Sequence, residues 1–295
     1  MVKKCLIILA AINNKLKMIQ VRNFKALNPA ALIALIIGCQ QPAKQGEEKV
    51  PNTEQAAVDS IVVENEPLVT EIYTADPSAH VFEGKVYVYP SHDYEAGVPE
   101  DDLGSHFDMR DYRVLSMDSI GGPVTLHDVA IDKEDVPWVG RQMWAPDAAE
   151  KDGTYYLYFP AKDKEDIFRI GVATSENPEG PFEPQPEAIK GSFSMDPSVF
   201  KDEDGIYYMY FGGIWGGQLQ RWATGKYNPA DVYPADSLPA LTPKIAKMSD
   251  DMLKFSEDPK DVQILDGNGD LITTGDHDRR FFEAAWMHKY NGKYY

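Results

Sequence analysis

The 295-residue chain carries 29 Lys+Arg against 47 Asp+Glu, a formal charge of -18, with 43% hydrophobic and 11% aromatic residues. That composition belongs to a globular protein rather than a disordered one. Such acidity, with no Lys/Arg cluster to offset it, repels a phosphate backbone, so nucleic acid is excluded as a partner and neutral substrates are favoured.

Both cysteines, Cys5 and Cys39, fall near the N-terminus, so no disulfide framework staples the rest of the chain. Residues 30–37 form an apolar run of eight, too short to cross a bilayer core of about 30 Å at about 1.5 Å per residue. Following Arg22 and Lys25, it reads as the core of a signal peptide. Its end, Ile36-Ile37-Gly38-Cys39, resembles a bacterial lipobox, which implies lipidation of Cys39 as the mature N-terminus, with Met18 as an alternative start. An uncleaved anchor is the competing reading, disfavoured by the polar tail that begins at Gln40. Residues 1–39 are therefore expected to be a lipoprotein signal. Residues 40–67, rich in Glu, Gln and Ala and carrying Pro42, Pro51 and Pro67, are expected to be a solvated tether. The protein is expected to be exported and lipid-anchored in the bacterial cell envelope, on the periplasmic or the outer face, touching membrane through the anchor alone.

Residues 68–295 are enough for one large domain and read mostly as strands. One turn recurs as Gly84-Lys85-Val86-Tyr87, Gly153-Thr154-Tyr155-Tyr156, Gly205-Ile206-Tyr207-Tyr208 and Gly292-Lys293-Tyr294-Tyr295, with a Tyr three residues after the Gly each time. Each marks a β-hairpin. Residues 111–118 and 169–175 read as further strands, and Asn177-Pro178-Glu179-Gly180-Pro181-Phe182 as a turn opening another. Radial repetition of sheets accounts for the aligned Gly and Tyr positions, where a β-sandwich does not. The fourth copy stops at Tyr295, without the second Tyr seen in the others (Tyr89, Tyr158, Tyr210), which implies a chain cut within a strand of a longer protein.

Aligned on their glycines, the copies place Asp76 eight residues upstream, and Trp144, Asp196 and Glu283 nine residues upstream. In a propeller the first strand of each blade lines the axis, so three carboxylates and a Trp would ring one pocket. Gathering acids on an axis costs repulsion and desolvation, and folding gives no reason to do it. Glycoside hydrolysis does, because it needs one carboxyl to protonate the leaving oxygen and a carboxylate to activate water. A third acid can tune and orient the first.

Thr74-Ala75-Asp76-Pro77-Ser78, Ser194-Met195-Asp196-Pro197-Ser198 and Phe282-Glu283-Ala284-Ala285-Trp286, with Met143-Trp144-Ala145-Pro146-Asp147 between the first two, resemble glycoside hydrolase family 43. The resemblance implies an all-β, five-bladed β-propeller, incomplete at the C-terminus in this chain, and an inverting mechanism. It implies that Asp76 is the general base, Glu283 the general acid and Asp196 the group that modulates and orients the acid. Base and acid of an inverting enzyme stand roughly 6.5–9.5 Å apart. Trp144 resembles the aromatic wall of the sugar subsite, and Phe282 and Trp215 are further candidate sugar contacts, although Trp215 equally fits a blade junction. The implied reaction removes α-L-arabinofuranosyl or β-D-xylosyl units from plant cell-wall oligo- or polysaccharides. No cofactor is required; a structural calcium ion near the propeller centre is the one ion the family allows, and no metal ligand is assigned in this chain.

Taken singly, each residue has a plainer reading: Asp-Pro-Ser opens many turns, and a lone Glu283 or Trp144 is ordinarily a strand-end acid or a core ring. Their shared register separates them from that background. A propeller fructosidase is disfavoured because its Asp-Pro-Asn and Glu-Cys are missing. A non-catalytic glycan-binding lipoprotein would have no reason to keep all three acids. The six histidines lack zinc-protease spacing. Asp266-Gly267-Asn268-Gly269-Asp270 departs from a calcium loop at Leu271 and His277 and reads as a turn. The Gly212-Gly213 and Gly216-Gly217 pairs lack the Lys-Ser/Thr of a phosphate loop, and Arg279-Arg280 read as surface charges.

Overall fold

The computed structural model describes residues 67–295. The expected signal segment, Cys39 and nearly all of the tether lie outside the described residues.

The run Tyr155-Tyr156-Leu157-Tyr158-Phe159 explains the architecture. It belongs to β7 (Thr154–Asp163), and a strand turns successive side chains to opposite faces. Tyr155, Leu157, Phe159 and Ala161 enter one core with Tyr87, Tyr89, Tyr112 and Val114 of the preceding sheet. Tyr156 and Tyr158 enter a second core with Val199, Met209 and Phe211 of the following sheet. A strand apolar on both faces must lie between two others, which is the repeating condition of a propeller.

The first sheet runs in order β1 (Tyr73–Phe82), β2 (Lys85–Asp93), β3 (Asp111–Met117) and β4 (Thr125–Asp132). The second contains β5 (Val139–Arg141), β6 (Asp147–Lys151), β7, β8 (Phe168–Ser175) and β9 (Glu183–Pro184), with β5 and β6 both pairing with β7. The third runs β10 (Ser198–Lys201), β11 (Tyr207–Phe211), β12 (Lys244–Lys247) and β13 (Lys260–Asp261). The hairpin of β14 (Lys289–Tyr290) and β15 (Lys293–Tyr294) then leans on the third sheet, where Asp202 receives the Tyr294 hydroxyl at 2.6 Å and Lys289 Nζ at 2.9 Å. The chain is thus an all-β propeller; helix among the described residues is confined to short 3-10 turns, and none is long and apolar enough to cross a membrane.

The recurring tyrosines are used for more than their rings. Tyr89 donates to Pro178 O at 2.6 Å, Tyr158 to Met252 O at 2.9 Å and Tyr207 to Glu150 O at 2.7 Å. The last two bonds cross between the second and third sheets. A Phe would bury the same ring and leave the carbonyl unpaired, forfeiting about 1 kcal/mol per bond. Three of the four glycine turns are two-residue hairpins with positive φ at both positions: Glu83 and Gly84 at 51° and 80°, Asp152 and Gly153 at 55° and 79°, Asn291 and Gly292 at 50° and 71°. The third copy differs. Residues 202–206 form a longer loop, closed by Gly205 N to Asp202 O at 2.9 Å and by Asp204 Oδ1 accepting Ile206 N at 2.9 Å.

Candidate active site

The innermost strands β1, β6 and β10 pack side by side, and backbone strain collects at the ends where the acids sit. Ala75 pairs with Ser91 and Ser78 with Tyr89, so Asp76 and Pro77 bulge out opposite the single residue Pro90. Neither proline has an amide hydrogen for the ladder. Asp76 takes a left-handed φ of 42°, Asp196, also followed by proline, takes 52°, and Ala284, next to Glu283, takes 57°. A residue before proline prefers extended backbone, and left-handed geometry costs a non-glycine residue roughly 1–2 kcal/mol. Left-handed φ thus falls at or next to each of the three acids, the kind of strain that accompanies functional sites.

Asp196 and Glu283 are brought together by the segment from Gly212 to Gly217. Ser194, fully buried, accepts Gly213 N at 2.9 Å and lies 2.7 Å from Gly217 O. Gly212 N donates to Met195 O at 2.7 Å, Ile214 N to Phe282 O at 2.9 Å, and Gly213 bridges to Glu283. A side chain on Gly213 would come within 3.1 Å of Met195 Cγ and 3.2 Å of Glu283 Cβ, so only glycine lets the two acid-bearing strands approach this closely. The link closes where Asp196 Oδ2 accepts Ala284 N at 3.0 Å. Behind it, buried Tyr112 donates to Trp144 O at 2.6 Å. Burial, with the Asp196 charge adding, pushes the Tyr112 phenol well above its ordinary range and keeps it a donor.

Of the aromatic candidates, Trp144 is 8% exposed. Its indole N–H donates to Phe107 O at 2.7 Å, its ring lies 4.6 Å from Phe168, and Met109 and Met195 complete the cluster. Loops from the neighbouring sheets close over it: a Cβ at Gly104 or Gly216 would stand 2.9 or 3.0 Å from its Cη2. Trp215 and Phe282 are 44% and 42% exposed and meet edge to face at 5.0 Å beside Glu283. Arg279 pairs with Asp276 at the surface, while Arg280 is half-buried and donates to Thr274 O at 2.9 Å.

Residues 266–270 form a tight turn, with Asp266 Oδ1 accepting Asn268 N at 2.8 Å and Asp270 N at 3.0 Å. Among the described residues no group of three or more His, Cys, Asp or Glu side chains is placed to hold a metal ion. Ser194, Gly213 and Tyr112 make contacts around the site that sequence reasoning passed over. The Gly-rich segment was visible as a phosphate-loop negative and as the setting of Trp215; its link to Glu283, seventy residues on from Gly213, was not.

Residues 66–295 match the family model described as Glycosyl hydrolases family 43. The chain is 58% identical over 238 residues to xylosidase/arabinosidase 43A of Humicola insolens, covering 78% of this chain and 73% of that protein. It is 54% identical over 229 residues to a xylosidase/arabinosidase of Bacteroides ovatus, covering 77% and 70%. Among solved structures, a β-xylosidase/α-arabinofuranosidase from a compost microbial metagenome, in complex with xylotriose and in a calcium-free form, superposes with a TM-score of 0.76 at 70% identity, covering 78% of this chain and 71% of that one.

Proposed function

The chain belongs to glycosyl hydrolase family 43, and on that premise we propose that it is an inverting glycosidase releasing β-D-xylosyl and α-L-arabinofuranosyl units from plant cell-wall saccharides. The observation that carries the site assignment is the Asp196 to Ala284 N hydrogen bond together with the Gly213 to Glu283 bridge. It fixes the strand of one acid by the carboxylate of another, which is what an orienting acid must do.

In this reading Asp76 removes a proton from a water molecule as its oxygen attacks the anomeric carbon. Glu283 gives its proton to the departing glycosidic oxygen, so the C–O bond breaks with the electron pair leaving on a neutral hydroxyl. Asp196 holds the Glu283 segment in place through Ala284 N. Sugar rings stack on the exposed Trp215 and Phe282, while Trp144, nearly buried, supports the floor through its carbonyl bond to Tyr112. Glu283→Gln is expected to lower kcat on xylobiose, whose leaving sugar oxygen needs the proton, by about 10³-fold while xylose binding persists. Proton NMR of the first sugar released checks inversion: β-xyloside should yield the α-anomer, and initial β-anomer would end this reading. An intact protein that binds xylo-oligosaccharides and releases no sugar would instead be a binding module.

Export and anchoring through Cys39 belong to the same proposal and are supported by the lipobox-like Ile36-Ile37-Gly38-Cys39. In a bacterial host, labelled palmitate should enter the protein and be lost in Cys39→Ser; equal labelling of the two would remove the anchor.

A further inference from the structure

Ser91 and Asp93 stand two residues apart on β2 and so share one face, while His92 between them turns away to Asp111, with Nδ1 to Oδ1 at 2.5 Å. The fully buried Ser91 hydroxyl lies 3.1 Å from Ala75 O and 3.1 Å from Asp93 Oδ1. A hydroxyl has one proton, and a carbonyl and an ionised carboxylate can only accept. Two contacts of equal length are what one hydroxyl proton shared between two acceptors gives, so Ser91 ties the Asp93 carboxyl to Ala75 O in a single three-centre link.

Two features connect that link to Asp76. Asp93 is half-buried, and burial holds its carboxyl above the usual range, with the Asp76 charge adding to the effect; the Ser91 hydrogen bond and the neighbouring His92 act in the opposite direction. The Ala75 carbonyl belongs to the peptide that leads into Asp76, where the bulge interrupts the ladder and φ is 42°. The left-handed turn that aims Asp76 is thus tied to β2 from its N-terminal side by Ser91.

We propose that Ser91 and Asp93 are a positioning pair for Asp76: Asp93 holds the Ser91 hydroxyl, Ser91 donates to Ala75 O, and this link fixes the direction from which the Asp76 carboxylate meets water. Neither residue touches substrate. The inference rests on Asp76 being the base.

The test uses the full-length protein and nitrophenyl xyloside, with melting temperature and xylose binding by calorimetry measured for each variant. Ser91→Ala and Asp93→Ala should each lower kcat about tenfold with KM held within about twofold, since a misaimed base slows chemistry more than binding. The double variant should be no slower than the slower single one, because both changes break one chain of bonds. Asp93→Asn, whose amide N–H donates to Ser91, should stay within about threefold of the parent. Should Ser91→Ala not fold, the contrast between Asp93→Asn and Asp93→Ala carries the test. Unchanged kcat in Ser91→Ala and Asp93→Ala, losses that multiply in the double variant, or Asp93→Asn as slow as Asp93→Ala would each overturn the pair. Asp76→Asn serves as the control for the premise: activity retained there removes Asp76 as the base, and the pair with it.

Discussion

The two ends of the innermost strands use the same backbone conformation for opposite purposes. At the turn end, left-handed φ falls on Gly84, Gly153 and Gly292, where a Cβ would meet nothing within 4 Å, and on Glu83, Asp152 and Asn291 before them, the pair that a two-residue hairpin requires. At the axis end it falls on Asp76, Asp196 and Ala284, residues that adopt it at a cost. At the turn end the conformation closes hairpins; at the axis end it falls at or beside the three acids, with no hairpin to close.

Asp76→Gly breaks the contrast most directly. It gives the axis end the residue its backbone prefers while removing the proposed base, so kcat should fall by about 10³-fold. Stability should be level or higher by up to about 1 kcal/mol. A stopped-rate assay beside thermal unfolding checks both, and a variant that is less stable as well as inactive would deny the strain.

Lys162, at the axis-side end of β7, is a second expense. It is 3% exposed, with its ammonium 5.2 Å from the Phe168 ring centre, and burial draws its pKa down to about 8. That value lies below the free 10.5, so between those pH values the unfolded chain binds more protons than the folded one. The penalty is fully present below pH 8 and is relieved as pH rises toward 10. Lys162→Met should therefore add about 2 kcal/mol at pH 7, and its advantage over the parent should shrink between pH 8 and 10. Unfolding melts across that window check the slope; a constant difference would mean that packing, not charge, is responsible.

Gly153→Ala sharpens the other side of the comparison with the smallest effect. There is room for the methyl group, so the loss reflects backbone alone, about 1 kcal/mol. Activity should be unchanged, and a fall in kcat would show that the two ends are not independent.

Much of this was legible in the residue order, because the information is periodic and local. Glycine three residues before tyrosine marks the hairpins, and the doubly apolar run at Tyr155 marks a strand buried on both faces. The common register of Asp76, Trp144, Asp196 and Glu283 places them at one end of successive strands. Tertiary structure decided what no local pattern encodes. Trp144 has the register of a pocket residue, yet loops carrying Gly104 and Gly216 close over its ring, while Trp215 and Phe282 remain exposed. Gly213 has meaning only against Met195 and Glu283, and Ser91 only against the bulge before Asp76. These are contacts between segments far apart in the chain. Sequence determines which chemistry is available at each strand end; close approach between strands determines which groups that chemistry can use.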